Sequence, residues 1–387
     1  MDDRKASTIT VSNSLRRDII MSSHKKSVAV VEYDKVFTYD HLFQAFKHCQ
    51  CGKRYRQTVI DFNVNLERKL TKMHRRLKRH RYKSGDLYEF TIYEPKKRDI
   101  VANQFADKLI QWIDCEYILM PTISPMLIFD NYASQPRKGT DLARDRLVKF
   151  YHKYWNRHHT NDGYVLRCDI KSYFASIDRE VLMGLVKKLP IDKECYRMLK
   201  MQVYAHHPEN TVGVCIGFQS MQWLAVFYLN GLDHYIKEEL HIDFYGRYMD
   251  DFYLVHEDKE YLQYCYKKIK EYIETKLHLR LNPKSGITRL DVNMNWLGFN
   301  FRLTENGRVT QKVTKKSISR YIKRIDKYIR LYLDDEILLE QIGQSIASWK
   351  AHIDHATNNG KMKRYLIDKV VAICDKYDVD PELILGN

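Results

Sequence analysis

The sequence predicts an α+β fold in which short strands in the middle of the chain are flanked by helical segments. Residues 242–247 and 252–256 are rich in aromatic and β-branched side chains, which favour strands, and an acidic turn separates them. Residues 66–81 repeat apolar side chains at helical spacing, and the segment beyond Val313 repeats basic ones. A chain of 387 residues suits two or three packed subdomains with a substantial core.

The N-terminal part of the chain is predicted to be a polar arm followed by helices. Residues 1–33 are polar and rich in serine, and we expect a mobile arm or a peripheral extension there. From Tyr39 the pattern turns helical. In residues 66–81, basic side chains follow Glu67 with no acid to balance them. This basic face predicts contact with RNA, and the alternative is a solvated face on a packed helix.

Three acidic residues stand where strand patterns end. The apolar run from Tyr164 to Ile170 contains Asp169, and Asp250 and Asp251 lie in the turn between the two later strands. Crowded carboxylates are costly unless a cation neutralises them, and their hard oxygen atoms suit Mg²⁺. Two segments that supply three such acids form the minimum ligand set for a site with two metal ions about 3.5–4 Å apart. Ordinary solvated turn chemistry is the alternative for the Asp250-Asp251 pair alone.

Two further segments complete the helical pattern. Asp178 precedes apolar residues at helical spacing, so it is a predicted helix N-cap. Gln219 to Leu240 is predicted to be one long helix.

The net charge indicates a polyanionic partner. Basic residues exceed acidic ones by 16, and the isoelectric point is near 9.2. Such an excess is typical of nucleic-acid binding, with a membrane surface as the alternative. No apolar run approaches the roughly 20 residues of a transmembrane helix, and the N-terminus lacks the apolar core of a secretory signal. We therefore expect a cytoplasmic protein without a membrane partner.

The cysteines and histidines show no organised metal motif. The eight cysteines are scattered, and only Cys49 and Cys51 lie close together. We expect reduced thiols, as in a cytoplasmic protein, with a CxC metal site as the alternative. The sixteen histidines include no HExxH sequence.

Several sequence blocks occur in the order found in reverse transcriptases, and from Tyr39 onward the chain resembles that family. The blocks are EPKKRDI from Glu94, FADK from Phe105, NYA from Asn131, KGT from Lys138, DIKSYFASID from Asp169, IGFQSMQWLAVFYLNGLDHYI from Ile216, YMDD from Tyr248, LNPKSGI from Leu281 and WLGF from Trp296. The resemblance implies a right-hand polymerase with fingers, a ferredoxin-like palm and a helical thumb. It places an extension at 1–33, fingers at 34–160 in the order typical of reverse transcriptases, palm at 161–304 and thumb at 305–387.

The resemblance also implies an activity, RNA-directed DNA polymerisation. In this family the primer 3′-hydroxyl attacks the α-phosphate of a deoxynucleoside triphosphate at a site holding two Mg²⁺ ions, for which Mn²⁺ is a substitute. The implied metal ligands are Asp169, Ile170, Asp250 and Asp251. Lys284 corresponds to a general acid for the leaving pyrophosphate, and a surface lysine after Pro283 is the alternative.

Other matched positions imply contacts with the nucleotide. Arg98 and either Lys96 or Lys97 would grip the triphosphate, unless they form a solvated turn after Pro95. Phe174 would exclude a 2′-hydroxyl, unless it is an ordinary core residue.

The segment from Ile216 completes the implied nucleotide site. Gly217 would let the backbone approach the new base pair closely, and Gln222 belongs to the same block. Ile216 supplies an apolar contact where retroviral enzymes carry an amide. Fewer polar contacts weaken discrimination, so we expect an error-prone enzyme.

The C-terminal blocks imply contacts with the primer and the duplex. The turn Trp296, Leu297, Gly298 and Phe299 corresponds to a primer grip. The basic residues that recur beyond Val313 fit a thumb along a template–primer duplex; they are Lys315, Lys316, Arg320, Lys323, Arg324, Lys327 and Arg330.

Within the family, the chain is most similar to the compact bacterial enzymes of diversity-generating retroelements. Ile216-Gly217 fits their pattern, whereas Met221 stands where serine is expected before Gln222. The related branch acts in phage defence. Implied partners are an RNA template, a DNA or RNA primer, deoxynucleotides, a structured non-coding RNA and a small accessory protein. The chain ends soon after the thumb pattern, so we expect no RNase H, maturase or endonuclease domain.

Two alternative functions remain open at this level. One is template-independent or protein-primed DNA synthesis on the same palm, and the other is a catalytically silent RNA-binding scaffold. Acids at every expected position argue against the scaffold.

Overall fold

A computed structural model describes residues 29–93 and 97–385 of the chain. The helices are α1 (Tyr33–Val36), α2 (Tyr39–Cys49), α3 (Gln57–Asn63), α4 (Leu66–Lys78), α5 (Phe105–Ile113), α6 (Met120–Ile123), α7 (Thr140–His158), α8 (Tyr173–Ser176), α9 (Arg179–Val186), α10 (Lys193–Val203), α11 (Gln219–Tyr228), α12 (Asn230–His234), α13 (Lys259–Lys276), α14 (Lys315–Leu333), α15 (Leu339–Asp354), α16 (Asn359–Lys376) and α17 (Pro381–Leu385). Asp114–Leu119 and Tyr235–Glu239 are π-helical, and Ser124–Met126 is a 3₁₀ turn.

The strands form three antiparallel sheets. They are β1 (Tyr88–Ile92), β2 (Arg98–Ala102), β3 (Tyr164–Asp169), β4 (Phe244–Tyr248), β5 (Asp251–His256), β6 (Gly286–Arg289), β7 (Met294–Trp296), β8 (Phe299–Leu303) and β9 (Val309–Val313). The spatial orders are β1-β2, β4-β5-β3-β6 and β7-β8-β9.

The described residues fall into two compact units. The first contains residues 29–126 and Asp178–Leu224, and the second contains Leu127–Ile177 and residues 225–385. The predicted domain boundaries at residues 33, 160 and 304 stay a prediction.

The first unit is mainly helical, and its core lies between α2, α4 and α5. Leu42, Leu70, Leu77 and Leu109 are fully buried, and each such side chain contributes about 1.5–3 kcal/mol of burial energy. The apolar stripe of α4 therefore packs inward as predicted, and its basic residues are left on the outer face.

The start of the described chain is packed against the first unit. Val31 forms a β-bridge with Ile191, and the Tyr33 amide donates to an Asp192 carboxylate oxygen at 2.6 Å. Residues 31–33 are therefore packed rather than mobile, and the N-terminal extension at residues 1–33 stays a prediction. Residues 1–28 lie outside the described part of the chain.

The four-stranded sheet of the second unit has ferredoxin-like topology. Its strands follow one another in the chain as β3, helices, β4, β5, α13 and β6, and they lie in the order β4-β5-β3-β6. This strand–helix–strand–strand–helix–strand pattern is the split βαβ arrangement predicted for the palm. The predicted hairpin is confirmed as β4–β5, and the strand ending near Asp169 is confirmed as β3.

One apolar core of the second unit extends from the four-stranded sheet to the C-terminal helices. It includes Val165 and Val255 from the four-stranded sheet, Trp296 from β7, and Ile325 from α14. The C-terminal helices pack on the three-stranded sheet β7-β8-β9, so the predicted helical character beyond Val313 is confirmed.

The helix predicted from Gln219 to Leu240 is not continuous. α11 ends at Tyr228, α12 begins at Asn230, and Leu229 between them leaves the helical conformation at φ −94° and ψ 4°. Two poor helix formers follow this break, Asn230 and Gly231. A β-carbon at Gly231 would lie 2.7 Å from the Tyr272 hydroxyl oxygen, so a larger residue there would displace the end of that side chain.

The cysteines of the chain are all free thiols, as predicted. Among the described residues, no helix is both long enough and apolar enough to cross a membrane.

Candidate active site

The tip of the β4–β5 hairpin presents Asp250 and Asp251. Tyr248 pairs with Asp251, so Met249 and Asp250 form the turn. Met249 has a φ of 58°, in the left-handed region, which costs a non-glycine residue about 1–2 kcal/mol. Its carbonyl oxygen accepts a hydrogen bond from Arg247 Nη1 at 2.8 Å. This bond from the preceding strand helps hold the turn in its strained conformation.

Asp169 ends β3 opposite the hairpin. It is the register partner of Asp251 on the neighbouring strand. Asn282 holds both the backbone and the side chain of Asp169. The Asn282 backbone N–H donates to the Asp169 carbonyl oxygen at 2.7 Å, and Asn282 Nδ2 donates to Asp169 Oδ2 at 2.8 Å. Ile170, the next residue, forms an isolated bridge with Leu281. The structure therefore brings together the three predicted acids of the second unit, with Asp169 and Asp251 on adjacent strands and Asp250 in the hairpin turn.

The carboxylates of this cluster repel one another. Burial, followed by the charge of Asp169, raises the pKa of Asp250 to about 6. Burial also raises the pKa of Asp251, and the Arg167 guanidinium opposes that rise. Negative charge is thus concentrated at the hairpin tip, where a bound cation would relieve the repulsion.

Arg167 is a residue of the cluster that the sequence reasoning missed. Its Nε and Nη2 atoms donate to the two carboxylate oxygens of Asp251 at 3.0 and 2.6 Å. Because side chains alternate along a strand, Arg167 and Asp169 lie on the same face of β3. That spacing of two residues was the available signal. The bidentate pair orients Asp251 and neutralises part of its charge.

A buried ion pair between Arg247 and Asp233 supports the β4–β5 hairpin. Arg247 and Asp233 are fully buried, with Nε and Nη2 of Arg247 at 2.7 and 2.6 Å from the Asp233 oxygens. Tyr245 and Asn131 also donate to Asp233, at 2.5 and 3.2 Å. Removal of one partner from such a pair is strongly destabilising, because the other charge stays buried without compensation.

A family model described as "Reverse transcriptase (RNA-dependent DNA polymerase)" matches residues 99–301, more than half of the chain. The chain belongs to the reverse transcriptase family. The match includes Asp169, Asp250 and Asp251, and the predicted right-hand polymerase fold is confirmed. Proteins of this family are nucleotidyltransferases that act as RNA-directed DNA polymerases.

Solved telomerase structures are similar to this reverse transcriptase family member at low identity. Telomerase from Candida albicans in complex with a TWJ fragment of telomeric RNA is 10% identical, with a TM-score of 0.45 over 79% of this chain and 63% of that chain. Apo telomerase from Candida tropicalis is 13% identical, with a TM-score of 0.46 over 78% of this chain and 65% of that chain. The chain therefore spans less than two thirds of the telomerase chains that it matches. No curated protein matches it.

Two further predicted site residues belong to the second unit: Phe174 follows β3 in the sequence, and Lys284 precedes β6. Phe174 is half-buried in α8, which begins after Ser172 in the left-handed conformation at φ 50°. Lys284 is exposed, and its amide donates to Asn282 Oδ1 at 3.1 Å. Asn282 thus links the Lys284 turn to Asp169. The apolar residues that precede Lys284 in the sequence predict a strand, but residues 277–280 form no regular strand in the structure.

The reverse transcriptase primer-grip position is a tight turn between β7 and β8. Leu297 and Gly298 are partly exposed and have φ values of 45° and 85°. Trp296 and Phe299 are fully buried in the core of the second unit. The two rings therefore position the turn, and only the turn residues are free to contact a primer.

The predicted triphosphate ligands belong to the first unit. Arg98 opens β2 as the register partner of Ile92, and both Arg98 and Lys97 are exposed. β1 and β2 pair along their whole length as an antiparallel hairpin. Lys96 lies outside the described residues.

The remaining nucleotide-site positions also belong to the first unit. Ile216 is half-buried, and Gly217 and Gln222 are exposed. A β-carbon at Gly217 would lie 2.1 Å from the Val101 carbonyl oxygen of β2. Glycine is therefore required for packing against the β1–β2 hairpin, a reason the sequence alone did not reveal.

Proposed function

We propose that this protein is an RNA-directed DNA polymerase that uses Asp169, Asp250 and Asp251 as its catalytic carboxylates. The observation that carries the proposal is the pairing of Asp169 with Asp251 beside Asp250 at a pinned hairpin tip. Family membership supplies the reaction class. Asp169 and Asp251 lie on paired strands and Asp250 lies in the tight turn between β4 and β5, which favours precise positioning.

The donor set fits Mg²⁺. Carboxylate oxygens are the ligands that Mg²⁺ prefers, and burial together with the neighbouring charge of Asp169 raises the pKa of Asp250, a penalty on its charged form that a bound cation would relieve. Asp169, Asp250 and Asp251 would hold two ions together with the Ile170 carbonyl oxygen, the ligand atom that an isoleucine offers. When bound, such ions stabilise the attacking and leaving oxygens of phosphoryl transfer. Arg167 orients Asp251 and opposes the rise of its pKa, which favours the charged form of this ligand.

The other matched residues bind and orient the nucleotide in this proposal. Arg98, with Lys96 or Lys97, binds the triphosphate, since a guanidinium grips phosphate oxygens bidentately. Phe174 selects the deoxyribose by excluding a 2′-hydroxyl. Lys284 holds the proton that the leaving pyrophosphate receives.

The remaining assignments of the nucleotide and primer sites complete the proposal. Ile216, Gly217 and Gln222 line the nucleotide site, and Leu297 and Gly298 contact the primer.

We further propose a setting in a bacterial or phage retroelement of the diversity-generating kind. The Ile216-Gly217 pattern supports this assignment, and the apolar Ile216 side chain supports error-prone copying. The partners are then an RNA template, a DNA or RNA primer, a structured non-coding RNA and a small accessory protein in the cytoplasm. Phage defence with template-independent synthesis is the competing setting.

Primer extension by the Asp250→Asn variant tests the catalytic assignment. Amide substitution keeps the shape of the side chain but removes its charge, and we expect activity to fall by about 10³-fold or more. Asp243→Asn is the matched control, because Asp243 is an exposed aspartate of the same unit that pairs with Arg157. Its activity should equal that of the wild type.

The outcome of this comparison separates the alternatives. Equal activity of Asp250→Asn and wild type would remove the carboxylate cluster from the mechanism. A wild-type protein that binds RNA but extends no primer on any template would support the silent scaffold.

A further inference from the structure

Three potential metal ligands meet in the first unit away from the sequence blocks that carry the polymerase assignment. Glu89 lies on β1, and His206 and His207 lie in the loop after α10. The Glu89 Oε1 and His206 Nε2 atoms are 2.9 Å apart. One ligand atom from each of the three residues lies within 4.8 Å of the other two. Within residues 29–93 and 97–385, no other three His, Cys, Asp or Glu residues approach one another so closely.

The histidine loop is held in place by a buried arginine. Arg179 donates to the carbonyl oxygens of His206, His207, Asn210 and Gly213 at distances of 2.9, 2.8, 3.0 and 2.6 Å. These bonds fix the backbone that presents both imidazoles. Ligands on a fixed backbone lose less conformational entropy on binding, so this loop is pre-organised.

The conformation of the loop directs the two imidazoles to neighbouring positions. His207 adopts a left-handed φ of 48°. The ring centroids of His206 and His207 are 4.0 Å apart, and the rings are steeply inclined to each other. Adjacent residues in an extended strand would point to opposite faces. The left-handed residue therefore brings two imidazoles to one place.

Glu209 contacts one of the two histidines and would orient it without binding the metal. Glu209 Oε1 lies 3.1 Å from His207 Nδ1. A carboxylate that accepts a hydrogen bond from Nδ1 fixes the imidazole tautomer and leaves Nε2 with its lone pair available. Carboxylate–histidine pairs of this kind commonly support metal-binding histidines.

We propose that Glu89, His206 and His207 bind a transition-metal ion of the Zn²⁺ type, with Glu209 orienting His207. Imidazole nitrogen and carboxylate oxygen are zinc ligands, whereas Mg²⁺ prefers oxygen alone. Ligand atoms in a tetrahedral zinc site are about 3.3 Å apart, so only small side-chain movements would close the site. A water molecule would take the fourth position.

The bound ion would fasten β1 to the histidine loop. β1 pairs along its whole length with β2, the strand that begins at Arg98. The Glu89–His206 ion pair that already joins β1 to the histidines is partly exposed. An exposed pair of this kind contributes little. Metal binding is therefore expected to reduce opening of the hairpin.

Metal titration of the tag-free, full-length protein tests the proposal. After removal of metals with a chelator, Co²⁺ is added in the presence of excess Mg²⁺, and visible absorption reports tetrahedral coordination. Zn²⁺ is then titrated by calorimetry. We expect one equivalent of Zn²⁺ to bind and to displace Co²⁺.

Variants of the three ligands should lose this binding. We expect at least a 100-fold loss of Zn²⁺ affinity for His206→Ala and His207→Ala, and a loss of at least tenfold for Glu89→Gln. Glu209→Gln should weaken binding by about 10–100-fold through loss of orientation. His234→Ala is the matched control, since His234 also pairs with a glutamate, at 2.6 Å, and its affinity should match the wild type.

Hydrogen exchange provides a second readout. Zn²⁺ should slow exchange of the β1 and β2 amides in the wild type and leave Glu89→Gln unaffected. Thermal unfolding of the metal-free proteins confirms that the variants fold. Unchanged Zn²⁺ affinity in both histidine variants would overturn the proposal, as would loss of binding in Cys49→Ser or Cys51→Ser instead.

Discussion

At the residue scale, the chemistry of the cluster depends on how each carboxylate is compensated. Asp251 is paired with Arg167 in a bidentate contact, whereas Asp250 has no such partner and carries a raised pKa. Asp169 is held by the amide groups of Asn282. The three acids therefore differ in environment, although the sequence presents them as equivalent.

The first prediction at this scale concerns substitution of Phe174. Phe174→Ala should admit ribonucleotides, because the ring that excludes a 2′-hydroxyl is removed. We expect discrimination to fall by about 10–200-fold, as for other changes of pocket volume. The measurement is the ratio of kcat/KM for a deoxynucleotide and the matching ribonucleotide in primer extension. Phe129→Ala, at an exposed phenylalanine of the same unit, is the control, and equal ratios in both variants would refute the assignment.

The free energy of unfolding should depend on pH through Asp114. This residue is fully buried in the first unit and accepts a hydrogen bond from Gln202, and burial raises its pKa to about 7. The folded state therefore binds this proton more tightly than the unfolded state. The resulting stabilisation is complete below the unfolded pKa near 4 and is lost as the pH rises through about 7.

Asp114→Asn tests this pH dependence, because an amide cannot titrate. Between about pH 5 and about pH 8 the wild type should lose on the order of 2 kcal/mol of unfolding free energy relative to the variant. Urea unfolding at a series of pH values gives both curves. Parallel curves would show that Asp114 is ionised in the folded protein throughout this range.

At the element scale, the β1–β2 hairpin depends on close packing with the segment around Gly217. Gly217→Ala places a methyl group against the Val101 carbonyl oxygen, so strand or loop must move. We expect a loss of about 1–3 kcal/mol and a raised KM for deoxynucleotides.

Gly184→Ala is the matched control for Gly217→Ala. Gly184 lies in α9 of the same unit, and a β-carbon there meets no atom within 4 Å. Alanine is the better helix former, so this variant should gain up to about 1 kcal/mol. Urea unfolding compares the two variants, and equal stabilities would contradict the packing argument.

The sequence was sufficient for elements whose signal is local. The β4–β5 hairpin, the strand before Asp169 and the N-cap at Asp178 all follow from neighbouring residues, and the structure confirms them. Arg167 was missed because its partner Asp251 is 84 residues away and joins it only in the folded sheet. The break at Leu229 was missed because the apolar pattern continues through it, although the poor helix formers Asn230 and Gly231 follow directly.

The buried groups were also inaccessible to sequence reasoning. Arg247 and Asp233 read as ordinary surface charges in the sequence, yet both are fully buried. The role of Gly217 in packing depends on the Val101 backbone, which lies more than a hundred residues earlier in the chain. The sequence shows which residue types suit a reaction, but it does not show the partners that hold those residues in place in the folded protein.

At the scale of the whole molecule, the net charge of +16 indicates binding to a nucleic-acid backbone. α14 carries Lys316, Arg320, Lys323 and Lys327 on an exposed face, while Ile325 on its other face is buried. Contacts of this kind recognise phosphate rather than sequence.

Salt dependence of binding measures these contacts. The double variant Lys323→Gln/Lys327→Gln should lower the slope of log affinity against log salt by about 2 for an RNA–DNA duplex, with uniform weakening across sequences. Lys267→Gln/Lys270→Gln on α13, also at exposed lysines, is the control. Fluorescence anisotropy at several salt concentrations gives the slopes, and equal slopes would exclude this face of α14 from the duplex contact.

We propose that Asp169, Asp250 and Asp251 catalyse DNA synthesis directed by an RNA template. Incorporation of a single nucleotide on four RNA templates that differ only in the first unpaired base tests this most directly. Each template should select its complementary deoxynucleotide, no extension should occur without template, and Asp250→Asn should abolish all four reactions. Incorporation of the same nucleotide on every template, or equal extension without RNA, would contradict it.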